Sequence, residues 1–253
     1  MSEPLSFWDH LDELRSCIIR SLVVVALAAV AAFCLKDWLF AVVLAPRTGD
    51  FVTYRVLGID EHFAISLMNT GLTEQLLTHM RVALYAGLLV AAPYVLYQLF
   101  GFAAPGLYRQ ERRVATWILV SAYGMFMVGT LVCYLIIFPL TVRFLGTYQV
   151  SPDVVNMLTL QSYIDTLIGM SFVMGIVFEL PVVCALLGRL GIIDSHMMSS
   201  LRRHAVVGIL VVSAIITPTT DAFTLLLVAL PIWLLYEVSI WIVKLTNTNT
   251  QPC

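Results

Sequence analysis

A glutamate inside an apolar run is the residue of this chain best placed to do chemistry. Glu179 lies within residues 176–183, in a stretch long enough to cross a bilayer. A carboxylate there costs at least about 2.5–3.5 kcal/mol on insertion scales, so it faces a protein interior or a wet cavity. Pro181 removes a backbone donor and frees a carbonyl in the preceding turn. The pattern predicts a polar, bent functional position in mid-membrane; the alternative is a structural hydrogen bond to another helix.

Two other carboxylates, Glu13 and Glu111, have the chemistry of a guanidinium receptor. Glu13 lies in a predicted helix that enters the membrane, and Glu111 lies in a loop that also holds three arginines. If both lie at one headgroup level, they can accept two guanidinium groups through forked, charge-assisted hydrogen bonds, which a lysine ammonium cannot reproduce. Two simpler explanations stay open: Glu13 belongs to a solvated helix start, and Glu111 pairs with Arg109 or Arg112 of its own loop.

The elements that must position these carboxylates are membrane-spanning helices. The chain has 253 residues, of which 60% are hydrophobic and 12% are charged. Several uncharged stretches reach about 18 residues, the length of a spanning helix. These features predict an all-α membrane protein with six spans in one domain over residues 1–245, and a polar, disordered tail over residues 246–253. The predicted spans cover about residues 16–35, 82–104, 114–138, 162–188, 204–217 and 223–243. The fifth is too short for a hydrocarbon layer of roughly 30 Å.

The distribution of Lys and Arg predicts that both chain ends are cytoplasmic. Inner segments hold nine basic residues: Arg15, Arg20, Arg109, Arg112, Arg113, Arg189, Arg202, Arg203 and Lys244. Outer segments hold five: Lys36, Arg47, Arg55, Arg81 and Arg143. The positive-inside rule favours this orientation. In it, residues 37–81 and 139–161 form long outer loops, and the stretch 60–80 predicts one or two helices lying at the interface.

Composition and motifs argue against several function classes. The net charge of −2 and the scattered Lys and Arg argue against a nucleic-acid partner. No HExxH, GxSxG, Walker or GxGxxG pattern is present, so the sequence predicts neither an enzyme nor a bound cofactor. The five His lack metal-ligand spacing, and the five Cys show no CxxC pair. The sequence therefore predicts no metal site, and cysteines that pack as small apolar side chains.

Several motifs, taken in order over about residues 6–243, resemble those of the TatC family, the receptor subunit of the twin-arginine protein translocase. The matching stretches are His10–Arg15, Ala92–Gln98, Phe102–Tyr108, Glu111–Arg113, Phe138–Leu140, Phe178–Pro181, Thr217-Pro218 with Asp221, and Pro231 followed by Tyr236-Glu237. Each motif alone is modest, whereas the ordered set is highly specific.

The resemblance implies both a fold and a function. The fold is a concave, glove-like bundle of six helices in the bacterial inner membrane, with short fifth and sixth spans. The function is not enzymatic. The family recognises folded cargo whose signal peptides carry paired arginines, and it moves that cargo with the proton-motive force. Its partners are small single-span proteins of the TatA and TatB type, and self-association in the complex is implied as well.

The resemblance also implies roles for particular residues. Glu13 and Glu111 match the two cytoplasmic carboxylates that receive the arginines, and Phe102 and Arg112 match supporting positions beside them. Glu179 matches the intramembrane glutamate of the concave face. Partner or translocation contacts are implied at Pro46, Thr217, Asp221 and Glu237.

This chain departs from the family pattern at two places. The first outer loop is longer than usual, and Leu225 stands where some members carry a polar residue that contacts partner helices.

Two rival functions remain open from the residues. The main rival is a proton-coupled secondary transporter of a small solute with Glu179 as its proton site, although the repeat symmetry of that class is not evident. An intramembrane hydrolase is disfavoured because nucleophile and metal motifs are missing.

Overall fold

The computed structural model of the protein describes residues 7–58, 64–103, 112–148, 151, 157–217 and 221–248. Within these residues the chain forms eleven α-helices and two short strands. The helices are α1 (Phe7–Cys34), α2 (Lys36–Leu44), α3 (Val52–Val56), α4 (Glu74–Ala103), α5 (Arg112–Val132), α6 (Phe138–Thr147), α7 (Leu160–Val177), α8 (Leu180–Arg189), α9 (Ser195–Ser200), α10 (Arg202–Ile216) and α11 (Ala222–Thr248). Strands β1 (Leu67–Met68) and β2 (Leu158–Thr159) pair in parallel.

Where the sequence predicts one membrane domain, packing divides the chain into two compact units. The first unit comprises Met1–Val43 and Gly71–Tyr123, and the second comprises Leu44–Thr70 and Gly124–Cys253. Five stretches of the described chain are long and apolar enough to cross a membrane: Leu11–Cys34, Glu74–Gln98, Ile118–Thr147, Leu160–Arg189 and Ala222–Leu245. The all-α membrane class predicted from composition is therefore confirmed.

In the first unit, α1 and α4 form an antiparallel pair. A Cβ on Gly87 would lie 2.5 Å from the backbone nitrogen of Ala29, so only a glycine lets the two helices approach this closely. Further along the pair, Phe33 stacks on His79 with ring centroids 3.9 Å apart. These two contacts match rising residue numbers on α1 with falling numbers on α4, which fixes the antiparallel direction.

In the second unit, the third apolar stretch is longer than predicted. α5 continues through a π-helical turn at Cys133–Ile137 into α6, so the prediction that this span stops near Pro139 is wrong. Pro139 lies where the π-helical turn passes into α6, so its missing N–H removes one backbone hydrogen bond from a continuous helix. Thr53 Oγ1 donates to the carbonyl of Leu135 within this turn.

Tyr54 ties the connection between α2 and α4 to the start of α6. Its side chain is fully buried, and its hydroxyl oxygen lies 2.8 Å from the carbonyl oxygen of Pro139 and 3.1 Å from that of Pro46. A hydroxyl has one hydrogen, so the two carbonyl oxygens share it. Burial raises the pKa of Tyr54 to about 12, and the positive charge of Arg143 opposes that rise. The neutral phenol is therefore the form that the fold selects.

The other differences from the sequence prediction concern helix ends. α4 begins at Glu74, so residues 74–80 extend this helix and do not form a separate interfacial helix. α10 has 15 residues, about 22 Å, and is short as predicted. α11, predicted to be short, has 27 residues and continues to Thr248, past the predicted start of the tail. Pro231 lies inside α11 without ending it, because a backbone surrounded by lipid has no better hydrogen-bonding state than helix.

We expect Tyr54→Phe to lower the free energy of unfolding by about 1–3 kcal/mol, because the variant removes a buried hydroxyl that donates to the carbonyls of Pro46 and Pro139. Thermal unfolding of the full chain in detergent measures the change. Tyr148→Phe is the control, since it removes the hydroxyl of an exposed tyrosine.

The same pair of proteins should differ in pH dependence. The folded-state pKa of Tyr54 is raised from 10.0 to about 12, so its stabilising contribution is intact below pH 10 and is lost as the pH rises towards 12. The stability difference between the wild type and Tyr54→Phe should shrink over that range. A difference that stays constant up to pH 12 would contradict the assignment.

Candidate functional site

The fourth apolar stretch breaks at Glu179. α7 ends where the Phe178 N–H donates to the Met174 carbonyl at 3.0 Å, and Glu179 is the residue directly before α8. Pro181 lies in the first turn of α8, so the carbonyl of Val177, four residues earlier, lacks its helical donor. The interruption that Pro181 predicts is present.

The Glu179 side chain is half-buried. Its Oε1 atom is buried, and within the described part of the chain that atom has no hydrogen-bond partner. Buried polar atoms are normally hydrogen-bonded, and an exception marks strain, function, or a water or ion at the site. The structural alternative, a hydrogen bond to another helix, therefore has no donor at Oε1 among these residues. The carboxylate can accept a hydrogen bond or a proton from a group that enters.

A cavity of about 600 Å³ lies along the first turns of α7. Its polar lining is Thr159, Gln161, Ser162, Asp165 and Thr166. Its apolar lining is Gly169, Met170 and Val173 of α7 with Ile215 and Ile216 of α10. Asp165 lies near the start of the predicted fourth span, and the sequence analysis assigns it no role. The helical spacing of positions 162, 165, 166, 169 and 173 was the signal for one face that changes from polar to apolar.

The predicted arginine receptor falls in the first unit. Glu13 is exposed on α1, and Phe102 lies in the last turn of α4. Measured from the contact of Ala29 with Gly87, Glu13 lies 16 residues towards the start of α1. Phe102 lies 15 residues towards the end of α4. Both offsets correspond to about 22–24 Å at roughly 1.5 Å per residue. The antiparallel pair therefore brings these two positions to the same end.

Arg112 and Glu111 complete the predicted receptor in the sequence. Arg112 is the first residue of α5. Glu111 and residues 104–110 of the same loop lie outside the described residues. The distance between the Glu13 and Glu111 carboxylates therefore stays a prediction.

Two positions predicted as partner contacts are buried in the second unit. Pro46 is buried, and its carbonyl accepts from the Tyr54 hydroxyl. Thr217 is buried at the end of α10, and its hydroxyl donates to the Ser213 carbonyl at 3.0 Å. Both residues therefore have structural roles, and a contact of either one with a partner stays a prediction.

Asp221, the third such position, caps the start of α11. The Thr224 backbone N–H donates to Asp221 Oδ2 at 2.8 Å, and the Thr224 hydroxyl donates to Oδ1 at 2.6 Å. This is the N-cap geometry that satisfies an otherwise unpaired N–H of the first turn. The Asp-x-x-Thr spacing was the sequence signal for it, and the sequence prediction assigned Asp221 a partner contact alone.

Glu237, the fourth position, joins α10 to α11. Its Oε2 atom lies 2.8 Å from Nη2 of Arg202, and both side chains are partly exposed. On the neighbouring residue, the Tyr236 hydroxyl donates to the Met198 carbonyl of α9 at 2.8 Å. Met198 packs in a buried cluster with Ile240 of α11. One ion pair, one hydrogen bond and apolar packing therefore hold α9 and the start of α10 against the second half of α11.

These features define a multi-pass α-helical membrane protein with a carboxylate at a broken span, and comparisons with known proteins specify its family. The chain matches the family of Sec-independent protein translocase proteins (TatC) over residues 9–231. It is 37% identical over 241 residues to the Sec-independent protein translocase protein TatC of Deinococcus radiodurans, covering 94% of this chain and 85% of that protein. It is 32% identical over 245 residues to the chloroplastic TATC of Oryza sativa, covering 97% of this chain and 64% of the rice protein.

A solved structure gives the same result. The crystal structure of a twin arginine translocase receptor, TatC, superposes with a TM-score of 0.75 and 31% identity, over 94% of this chain and 99% of that chain. The chain belongs to the TatC family. The resemblance found in the sequence motifs is thereby confirmed.

We expect Glu237→Gln to lower the free energy of unfolding by only about 0.2–1 kcal/mol, because the Arg202–Glu237 pair is partly exposed. Arg202→Gln should cost a similar amount, and the double variant should cost less than the sum of the two. Thermal unfolding of all four proteins gives this double-mutant cycle. Strictly additive losses would show that the two side chains do not interact. Loss of transport at normal stability would point to a partner contact of Glu237.

Proposed function

We propose that this TatC-family chain is the receptor and core component of a twin-arginine translocase. In this proposal it binds the paired arginines in signal peptides of folded proteins. With TatA- and TatB-type single-span proteins, and as several copies in one complex, it moves that cargo across the membrane with the proton-motive force. The observation that carries the proposal is the placement of Glu13 and Phe102 at one end of the antiparallel α1–α4 pair. The likeness to the solved twin arginine translocase receptor supports it.

The arginine site works by charge and by geometry. Glu13 is exposed, so a ligand reaches its carboxylate without first displacing protein side chains. Each carboxylate can accept two parallel N–H bonds from one guanidinium, and the pair Glu13 and Glu111 can therefore receive two arginines. A lysine ammonium is a point charge without this fork, so twin lysines satisfy the same site less well. The spacing of the two carboxylates would then select a pair of arginines over a single one.

Glu179 acts at a later step of this proposed function. Its carboxylate lies at a helix break inside an apolar stretch, and its Oε1 atom has an open acceptor position among the described residues. A polar group on a cargo or partner helix can occupy that position once the signal peptide has docked. Such a contact is worth more in the membrane than at the surface, because the alternative is a polar group left in hydrocarbon.

The rival function, a proton-coupled secondary transporter of a small solute, has no support from the family of this chain. It does share one residue with the proposed function, since both use Glu179. Translocation of a folded protein involves binding and movement and needs no bond to be made or broken in the cargo, so the proposal includes no enzymatic activity.

The proposed location is the bacterial cytoplasmic membrane, with both termini in the cytoplasm. Its basis is the excess of nine inner over five outer basic residues. Gly49→Cys and Thr248→Cys, each in a background without the native cysteines, should react oppositely with an impermeant maleimide. Gly49→Cys should label in intact cells, and Thr248→Cys should label after permeabilisation alone. Labelling of Thr248→Cys in intact cells would refute this orientation.

We expect Glu13→Gln and Glu111→Gln each to weaken twin-arginine peptide binding by about 1.5–3 kcal/mol, the scale of a hydrogen bond to a charged group. Titration of the purified full chain with a fluorescent signal peptide measures the affinity. The wild type should prefer the twin-arginine peptide over a twin-lysine peptide, and each variant should lose most of that preference.

The matched control for this titration is Asp12→Asn, which removes one negative charge from an exposed residue beside Glu13. Its affinity should stay near that of the wild type, because the site depends on directed hydrogen bonds and not on net charge. Unchanged peptide affinity in both glutamate variants would refute the proposed site. If Asp12→Asn lost as much peptide affinity as the glutamate variants, the binding would be a general electrostatic attraction and not a directed site.

We expect Glu179→Gln to keep most transport activity and Glu179→Leu to lose it, because an amide still accepts a hydrogen bond and an isobutyl group does not. Twin-arginine peptide binding should stay near normal in both variants, since the residue acts after docking. Transport of a reporter protein into membrane vesicles and peptide binding are measured side by side. If the Gln variant fails as badly as the Leu variant, protonation is required, which favours the proton-coupled rival. Normal transport by the Leu variant would leave Glu179 without a role.

A further inference from the structure

Two phenylalanines and two glycines interlock where α7 ends. Phe126 and Gly129 lie three residues apart on α5; Gly175 lies in the last turn of α7, and Phe178 follows its end. A Cβ on Gly129 would lie 2.6 Å from the carbonyl oxygen of Met174 and 2.8 Å from Cβ and Cγ of Phe178. A Cβ on Gly175 would lie 2.6 Å from Cε2 of the Phe126 ring. Each phenylalanine therefore covers the glycine of the other helix, and these four residues are named the Phe–Gly interlock.

The Phe–Gly interlock is tightly packed. The exposed fraction is 9% for Phe126 and 6% for Phe178. Small residues at a helix crossing in a membrane allow the backbones to approach, and the energy of the contact then comes from close packing. Here the approach reaches the backbone itself, because Gly129 lies against the Met174 carbonyl. That carbonyl accepts the Phe178 N–H at 3.0 Å. α5 therefore touches a hydrogen bond that closes the last turn of α7.

We propose that the Phe–Gly interlock positions the Glu179 carboxylate. Glu179 directly follows Phe178, so a shift of Phe178 is transmitted to Glu179 through a single peptide unit. The backbone of Glu179 is held on both sides of the break: its N–H donates to the Ile176 carbonyl of α7 at 3.0 Å, and its carbonyl accepts the Val183 N–H of α8 at 2.9 Å. α5 acts on this position from the α7 side, where it packs against Phe178. Gly129 and Gly175 are positioning residues in this arrangement, and the inference rests on the proposed function only in that Glu179 acts in transport.

The two glycines should differ in how strictly they are required. A methyl group at position 129 meets a backbone oxygen, which no side-chain rotation can move away. A methyl group at position 175 meets the edge of the Phe126 ring, which a shorter side chain at position 126 removes. The same helices offer matched controls, because a Cβ on Gly124 of α5 or on Gly169 of α7 has no atom within 4 Å among those the structure describes.

The test reads the environment of Glu179 directly. The full chain in its membrane is treated with dicyclohexylcarbodiimide, an apolar reagent that modifies carboxyl groups, and mass spectrometry measures the rate at the peptide that contains Glu179. Glu179→Gln sets the background rate. Gly124→Ala and Gly169→Ala should react as the wild type does. Gly129→Ala should change the rate at Glu179 several-fold and lose transport, while it binds the twin-arginine peptide normally.

A second pair of variants covers the case in which Gly129→Ala does not fold. Gly175→Ala should change the modification rate by a smaller factor, and Phe126→Leu combined with Gly175→Ala should restore both the rate and the transport. Wild-type modification and transport in Gly129→Ala, or no restoration in the double variant, would overturn the proposal. Failure of the wild type to bind the twin-arginine peptide would instead refute the proposed function, and the modification rates would still test the positioning of Glu179.

Discussion

Backbone groups inside a bilayer must find their hydrogen-bond partners within the protein, and the prolines of this chain are the places where that requirement is hardest to meet. Pro139 and Pro181 each remove one backbone donor from the helix around them. At Pro139 a hydroxyl from a distant segment adds a donor to the neighbouring turn, because Thr53 donates to the Leu135 carbonyl. At Pro181 the helix breaks, and a half-buried carboxylate lies at the break. The need to satisfy backbone groups inside the membrane therefore has two outcomes here. In one span the turn beside a proline gains a hydrogen bond from Thr53 and is called the sealed turn, and in another span the helix break carries a polar site.

The sealed turn explains why the connection between α2 and α4 is ordered around a single tyrosine. Tyr54 bridges the carbonyls of Pro46 and Pro139, which are far apart in the sequence. Removal of its hydroxyl would take from the fold a buried hydrogen bond that joins these two carbonyl groups. The buried position of Pro46 thus has a cause within the fold, whatever further contact a partner makes there.

The sequence predicts the helical class well because lipid leaves the backbone few alternatives, and it predicts helix ends poorly for the same reason. The third span was predicted to end at residue 138 and the sixth to be short, yet helix continues through Pro139 and Pro231, since the surrounding apolar residues have no other stable state. The rule that proline ends a helix comes from water, where a freed carbonyl is readily hydrated. The half-buried position of Glu179 at a helix break was predictable, because a carboxylate in an apolar stretch carries a large burial cost that is visible from the neighbouring residues alone.

The contacts that position Glu179 were not predictable, because they join residues about 50 positions apart in the sequence, and nothing local to Gly129 or Phe126 marks them as partners. Glycines are common in apolar spans, and the structural role of each one depends on which atoms a Cβ at that position would contact. Gly124 and Gly129 are the same residue type on the same helix, and only the second touches a backbone carbonyl. Such a difference exists at the level of packing and is invisible to composition or periodicity.

The two carboxylates of the proposed function lie in different environments, and that difference suits the different roles proposed for them. Glu13 is exposed, so salt screens its attraction for a cation, and a bound signal peptide can dissociate quickly. Rapid dissociation suits a proposed site that must sample many signal peptides. Glu179 is half-buried at a break in an apolar stretch, so water and salt screen its contacts less. A polar group that reaches it from a docked peptide or partner gains more there than at the surface. In the proposed function, recognition at the exposed site therefore stays reversible, and the later transport step depends on the half-buried one.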